Sequence, residues 1–558
     1  MSFTSWLLTN YPNLAMDLAT FAQLLRTRGL LAALRAAIRR HPWLTLLFSN
    51  AATAAVIGHF LLRKQGGLKK FLLALLFSSL KAMPGAQGLI DAQTDKVAKD
   101  VRKKLVDDTV GDEKRYTALP ARGLAEGEVL DILERYTGKD QAHWRPGKVS
   151  GGIYHGGDDL TRLIARAYEM FCLANPLHPD VFPMVRKMEA EVVAMTLRLF
   201  NGDDKACGTM TSGGTESILM AMKAYRDHAE ATKGITEPEI VVPNTAHAAF
   251  DKAAFYFKMR IIRTPVDPVT FKADVDAMRA AIGPNTVALV ASAPQFPQGV
   301  FDDVGAIAAL GVERDIPVHV DCCLGSYLVP YLDRAGFPIP PFDFRLPGVT
   351  SISADTHKFG YTPKGSSTIM YRHAHHRDAQ FFCVTDWPGG VYASPSMAGS
   401  RPGALIAGTW AAIMRMGDDG YLDACKKIMR AATHIRERLA RLPEIKQLGA
   451  PEASVVCFTS ADKAISIYHI CDELSARGWN LNILQFPACV HLCVTYANHT
   501  NAEEFADDVE AAIAAARSGD SSKYKDGAAA IYGLAETVPD RSIIGTIAKK
   551  YIEAMYIA

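Results

Sequence analysis

Between about residues 151 and 386, short β-branched runs alternate with longer segments whose apolar positions recur every three or four residues. Glu239-Ile-Val-Val242, Thr286-Val-Ala-Leu-Val290, Pro317-Val-His-Val320 and Ser366-Ser-Thr-Ile-Met370 predict strands. Residues 217–229, 275–281 and 304–313 predict the helices between them. Such alternation predicts an α/β fold with a mostly parallel sheet covered on both faces. From about residue 394 a long helical stretch is followed by two strand candidates, Ser454-Val-Val-Cys-Phe458 and Val490-His-Leu-Cys-Val494, which suggest a smaller α+β domain. Residues 91–150 are charged and punctuated by glycine, with helical periodicity at 97–106 and 126–136. The pattern therefore divides the chain into a basic N-terminal segment (1–90), a connecting helical arm (91–150), a large domain (151–393) and a C-terminal small domain (394–558).

The N-terminal segment has a different pattern. Residues 44–62, LTLLFSNAATAAVIGHFLL, carry no formal charge and are long enough to span a hydrocarbon core. Arg39 and Arg40 precede this run, and Arg63 and Lys64 follow it. The competing readings are an amphipathic or buried helix, or part of a mitochondrial transit peptide. Residues 71–80 are apolar but too short to span, and suit the membrane interface between Lys69, Lys70 and Lys81. Positive charge flanks both ends of 44–62, so the charge rule selects no orientation.

Charge sharpens this picture. The net charge is only +2, which argues against a dedicated nucleic-acid binder. Yet no Asp or Glu occurs from residue 18 to 90, while ten Lys and Arg do. The rest of the chain is therefore net acidic. An acid-free basic stretch suits an anionic membrane surface. The expectation is a single-pass, membrane-associated protein whose catalytic part faces the cytosol. The membrane would be the endoplasmic reticulum in a eukaryote or the inner membrane in a bacterium. None of the ten cysteines precedes Cys172 and none shows zinc spacing, which fits a reduced compartment; no metal centre is expected.

Four elements carry candidate chemistry. Thr211-Ser-Gly-Gly-Thr-Glu-Ser217 opens an apolar helix, where Gly213, Gly214 and Thr215 would offer free backbone N–H groups to a phosphate. Asp321 ends the run Val318-His-Val-Asp321, and a carboxylate at that strand edge can pair with a protonated pyridine nitrogen. Lys358 follows Ser353, Asp355 and His357 in an apolar, Gly-flanked segment, where a lowered pKa would let it form a Schiff base. Asp321 and Lys358 stand about one strand-helix-strand unit apart, so both could end on one edge of the sheet. His247, between a strand and a helix, could stack on a cofactor ring.

Taken together, the phosphate loop, the histidine, the aspartate and the His357-Lys358 pair resemble the aspartate-aminotransferase-like (fold type I) superfamily. Its decarboxylase-related branch is the nearest part of it. Longer stretches resemble the sphingosine-1-phosphate lyase family. These include Asn175-Pro-Leu-His-Pro-Asp180, Pro294-Gln-Phe-Pro-Gln-Gly299, residues 348–361, residues 386–395 and Ala398-Gly-Ser-Arg-Pro-Gly403.

The resemblance implies pyridoxal 5'-phosphate bound through Lys358, with Gly213, Gly214, Thr215, His247, Asp321, Ser353 and His357 around it. It also implies retro-aldol cleavage of a phosphorylated sphingoid base to a long-chain aldehyde and phosphoethanolamine. Tyr154, Asn175, His178 and Lys364 would hold the substrate phosphate, with Ser400 and Arg401 supplied by the second subunit of a homodimer with shared sites. Tyr154 lies in Gly151-Gly-Ile-Tyr-His-Gly-Gly, a loop flexible enough to bring it over the site. No role is assigned to His155, and Cys322 and Cys323 read as packing. The alternatives are a related amino-acid decarboxylase and a catalytically dead membrane scaffold.

Overall fold

The computed structural model describes residues 113–518 and 541–557, with a few isolated residues between 88 and 111. The runs at 44–62 and 71–80 lie outside the described residues. Among the described residues, no helix is long and apolar enough to cross a membrane. The chain divides into two units. One is Arg122–Gly533; the other comprises Met1–Ala121 and Leu534–Ala558, where a helix covers Arg541–Ala554.

The larger unit opens with α1 (Glu126–Trp144), α2 (Asp158–Met170) and α3 (Pro183–Leu199). The main sheet then runs through β1 (Cys207–Thr211), β2 (Glu239–Pro243), β3 (Arg260–Thr264), β4 (Thr286–Ser292), β5 (Val318–Asp321), β6 (Val349–Ala354) and β7 (Ser367–Tyr371). Their spatial order is β1-β7-β6-β5-β4-β2-β3. Five strands, β3-β2-β4-β5-β6, pair in parallel, while β7 runs antiparallel between β6 and β1. The mostly parallel sheet expected from the pattern is present. Strands β2, β4, β5 and β7 are buried along their whole length, as a sheet packed on both faces requires.

Helices α4 (Gly214–Lys233), α5 (Ala249–Phe257), α6 (Val275–Ala281), α7 (Val304–Arg314) and α8 (Leu332–Ala335) connect the strands, and α9 (Ala374–Gln380) follows β7. Local chemistry sets their ends. The side chains of Asp274 and Asp303 accept the backbone N–H groups of Ala277 and Ala306, each at 2.9 Å, and so cap α6 and α7. Helix α4 stops at Gly234, which takes the left-handed conformation at φ +65°.

A two-stranded ribbon, β8 (Phe382–Val384) and β9 (Tyr392–Ser394), precedes the long α10 (Gly403–Leu439), which breaks at Gly417. A second sheet follows, entirely antiparallel, from β10 (Ile445–Gln447), β11 (Val455–Ser460), β12 (Asn482–Leu484) and β13 (Cys489–Cys493). Helices α11 (Ile467–Ala476) and α12 (Ala502–Ser518) accompany it. Residues just before Tyr154 dock on this sheet. Val149 bridges to Asn480, and the Ser150 hydroxyl accepts the Cys493 N–H at 2.8 Å.

Candidate active site

Two parallel neighbours, β5 and β6, place the central groups. Their register sets Asp321 beside Ser353, so the carboxylate ending β5 and the segment leaving β6 meet on one edge of the sheet. The chain then turns through Asp355, Thr356 and His357 to Lys358. Lys358 Nζ lies 2.8 Å from Asp355 Oδ2, and His357 Nε2 lies 3.5 Å from the same oxygen. The Ser366 N–H donates to His357 Nδ1 at 3.2 Å, which leaves the ring proton on Nε2, facing Asp355. Asp355 Oδ1 is buried without a partner.

This geometry corrects one expectation. Burial pushes the Lys358 ammonium toward deprotonation, but the neighbouring Asp355 carboxylate outweighs it and holds its pKa above the ordinary lysine value. The opposite shift holds at Asp355: burial pushes its carboxyl up, and Lys358 and His357 more than reverse that. The amine is therefore stored as an ion pair and must leave Asp355 and lose a proton before it acts as a nucleophile.

Helix α4 points its N-terminus at the same place. A Cβ on Gly214 would come within 2.6 Å of Cys323 Sγ and 2.8 Å of Asp355 Oδ1. A Cβ on Gly213 would come within 3.3 Å of His357 Cε1. Glycine at 214 is thus what allows the first turn of α4 to press against the lysine segment. Hydroxyl bonds pin the turn: Thr211 Oγ1 meets Ser217 Oγ at 2.6 Å, and Ser217 Oγ meets Ser367 Oγ at 2.9 Å.

Asp321 accepts the Cys323 N–H at 3.0 Å and the Ser353 hydroxyl at 3.4 Å, both on Oδ1, leaving Oδ2 for a ligand. Behind it runs a buried chain of polar groups. Ser353 Oγ meets His319 Nε2 at 3.2 Å, His319 Nδ1 meets Ser351 Oγ at 2.7 Å, and the Tyr225 hydroxyl donates to Ser351. Burial holds His319 down at about 4, so the ring is neutral and its two nitrogens do different jobs. Sequence reading found Ser353 but missed His319, Ser351 and Tyr225. Alternation along β5 and β6 was the one available signal, since His319 and Asp321 share a face, as do Ser351 and Ser353.

Tyr154 is buried rather than perched on a mobile loop. Its ring packs edge-on against Phe359 with centroids 4.9 Å apart, and the Lys364 ammonium lies 4.7 Å from its centre. Burial holds its hydroxyl protonated, well above the ordinary tyrosine value. Lys364 donates to the His357 carbonyl at 3.1 Å. Burial of its ammonium, with the neighbouring Lys358 charge, brings its pKa down to about 8.

No hydrogen bond or ion pair links the other predicted residues to Lys358. His247 is exposed; its Nδ1 accepts the Ala249 N–H at 3.1 Å and its ring stands edge-on to Phe296. Thr215 lies in the first turn of α4. Asn175, Ser400 and Arg401 form a second group. Asn175 donates to Ser400 at 3.0 Å and accepts the Arg401 N–H at 3.2 Å, while the Arg401 guanidinium forms a two-pronged ion pair with Glu189. The exposed His178 belongs to the same turn as Asn175, its N–H bonded to the Asn175 carbonyl at 3.1 Å. His155 stacks on Tyr496 at 4.7 Å. Cys322 and Cys323 are buried, and burial raises both thiols, as packing residues require.

Residues 157–461 match the family model described as the pyridoxal-dependent decarboxylase conserved domain. The chain is 45% identical to mouse sphingosine-1-phosphate lyase 1 over 520 residues, which cover 92% of this chain and 90% of that one. The chain belongs to the sphingosine-1-phosphate lyase family. It is also 45% identical to the Drosophila melanogaster sphingosine-1-phosphate lyase, across 86% of this chain and 88% of that one. Among solved structures, the Burkholderia pseudomallei sphingosine-1-phosphate lyase superposes with a TM-score of 0.71 at 41% identity, covering 77% of this chain and 99% of that one.

Pyridoxal 5'-phosphate is the cofactor of this lyase family, and the residues present fit it. Lys358 would supply the amine, the bare backbone at Gly213 and Gly214 would open a helix N-terminus to the phosphate, and Asp321 Oδ2 is left available for the pyridine nitrogen. Asp355 Oδ1 and Thr245 Oγ1 are buried polar atoms still lacking partners. Thr245 lies two residues before His247.

Proposed function

We propose that this chain cleaves phosphorylated sphingoid bases, sphingosine 1-phosphate and its dihydro and phyto analogues, between C2 and C3. The products are a long-chain aldehyde and phosphoethanolamine. The observation that carries this reading is a second cation beside the reactive one: Lys364 lies against Tyr154, next to the Lys358–Asp355 pair. A dianionic head group needs such a donor in addition to the cofactor-phosphate cradle.

Pyridoxal phosphate, when bound, supplies the aldehyde that takes the substrate amine and a ring that accepts the electron pair freed by C–C cleavage. The protein residues do the rest. Asp321 Oδ2 would keep the pyridine nitrogen protonated. Asp355 Oδ2 receives the Lys358 ammonium and fixes its position. His247 would cover a face of the cofactor ring. Tyr154, protonated at neutral pH, donates a hydrogen bond and is no base for the substrate 3-hydroxyl. Lys364 binds the phosphate as a point charge, and Lys358, as a free amine, is able to take the 3-hydroxyl proton and return it at C2.

Asn175 and His178 join Tyr154 and Lys364 at the substrate phosphate, with Ser400 and Arg401 supplied by the second subunit of a homodimer. Within one chain Ser400 and Arg401 bond to Asn175 and Glu189 and not to Lys358 or Lys364, which supports their delivery to a neighbouring subunit. The N-terminal segment is proposed as a single-pass anchor at a membrane carrying the substrate, with the catalytic unit on the cytosolic side. Support comes from the uncharged run at 44–62 and the acid-free basic stretch around it.

A second reading, amino-acid decarboxylation, follows from the family model that covers residues 157–461. Product analysis separates the two. Phosphorylated long-chain bases yield aldehyde under the first reading, and amino acids yield carbon dioxide under the second.

A further inference from the structure

The N-terminal edge of the main sheet faces away from the lysine site, because β4, β5 and β6 are parallel and Lys358 follows the end of β6. At that opposite edge lies a cleft of about 530 Å³, lined by Thr286, Thr350, Tyr225, His228, His375 and His376 among others. Helix α4 brings His228 to it, and α9 brings His375 and His376. The three imidazoles meet although 147 residues separate His228 from His375, which is why sequence spacing gave no hint of them.

One ring nitrogen from each histidine lies within 4.8 Å of the other two. The ring centroids are 4.2 Å apart for His375 and His376, and 4.8 Å for His228 and His376. His376 is only 5% exposed, and its Nδ1 is buried with no hydrogen-bond partner. A buried imidazole nitrogen without a partner is unfavourable until a donor or a cation meets it. Among the described residues this is the one group of three or more His, Cys, Asp or Glu side chains close enough to share an ion.

We propose that His228, His375 and His376 bind one late first-row divalent cation, zinc(II) foremost. Three imidazoles without a hard carboxylate select zinc, copper or nickel over magnesium or calcium. With zinc–nitrogen bonds of about 2.0–2.1 Å, tetrahedral ligand atoms stand about 3.3 Å apart. The nitrogens must therefore draw together from their present spacing. His375 is exposed and is the ring free to change rotamer toward the other two, while His376 is fixed by burial. The fourth position opens on the cleft, where water can fill it. The three histidines are no part of the lysine site, although Tyr225 lines the cleft and also donates to Ser351 in the chain behind Asp321, and the proposal does not rest on the proposed reaction.

The test uses full-length holoenzyme with no affinity tag, stripped of metal by dialysis against a chelator and titrated with zinc(II) in a calorimeter. The expected result is one ion per chain. The His228→Gln/His375→Ala double variant keeps the buried His376 and so preserves the fold. It is expected to lose at least about tenfold in zinc affinity, with cofactor absorbance unchanged. Absence of binding by the wild type, or equal binding by the double variant, would overturn the proposal.

Discussion

Lys358 Nζ and Asp355 Oδ2 stand 2.8 Å apart across three residues of chain, and the other carboxylate oxygen of Asp355 is buried without a partner. The reactive amine is thus held charged by its own segment. Cofactor loading must pay for a deprotonation, and the rate should show it. In metal-free buffer, association of pyridoxal phosphate with apoenzyme is expected to climb about tenfold per pH unit between pH 7 and 9, because the free-amine fraction rises by that factor below the lysine pKa. In Asp355→Asn burial wins, the lysine pKa falls, and the climb should flatten at the upper end. A flat wild-type profile would show that the pair does not govern loading.

Lys364 carries the next prediction. Its pKa is brought down to about 8, so its charge is present below that value and lost as pH rises through it. The kcat/KM for a phosphorylated substrate should therefore decline above about pH 8. Lys364→Arg, whose side chain does not titrate there, should remove the decline. Lys364→Met should raise KM about tenfold to a hundredfold, matching about 1.5–3 kcal/mol for a hydrogen bond to a charged group. Steady-state kinetics from pH 6.5 to 9.5 provide the check.

Gly214→Ala places a methyl group 2.6 Å from Cys323 Sγ and 2.8 Å from Asp355 Oδ1. Overpacking of this kind costs about 1–3 kcal/mol. The denaturation midpoint should fall and cofactor affinity should weaken with it. Gly213→Ala, whose new Cβ would come no closer than 3.3 Å to His357, should be milder in both. Urea titrations and cofactor titrations of the two variants rank them.

His319 is fully buried and bridges Ser351 to Ser353, the hydroxyl that meets Asp321. His319→Leu leaves two buried hydroxyls without that partner, at about 1–3 kcal/mol. Asp321→Asn should leave stability nearer the wild type but reduce kcat sharply, since an amide cannot balance a protonated pyridine nitrogen. Equal kcat losses in both variants, with no stability difference, would contradict this division of labour.

The anchor has a separate test. A chain lacking residues 1–88 is expected to stay active and to partition into the aqueous phase, whereas full-length protein should need detergent. Full-length protein that is soluble without detergent would remove the span at 44–62.

Much of the sheet was legible because buried parallel strands leave dense β-branched runs. Thr286 to Val290 falls within β4, and Ser366 to Met370 overlaps β7. The antiparallel direction of β7 was not legible, since direction is set by the connection and not by the strand residues. Strand β1 was missed because Cys207-Gly-Thr-Met-Thr211 is short and interrupted by glycine. At the site, spacing placed Asp321 and Lys358 on one edge correctly, because one strand-helix-strand unit separates β5 from β6. The direction of the Lys358 shift was misread, since burial and Asp355 oppose each other and their balance depends on a distance. The histidine cleft was invisible for a related reason: α4 and α9 meet only through the fold.

Carbon–carbon cleavage on a phosphorylated lipid depends on Lys358. Its most direct test is product analysis of holoenzyme incubated with dihydrosphingosine 1-phosphate. The expected result is long-chain aldehyde and phosphoethanolamine in equal amounts, with neither product from Lys358→Ala. No aldehyde from the wild type, alongside carbon dioxide released from an amino acid, would contradict it.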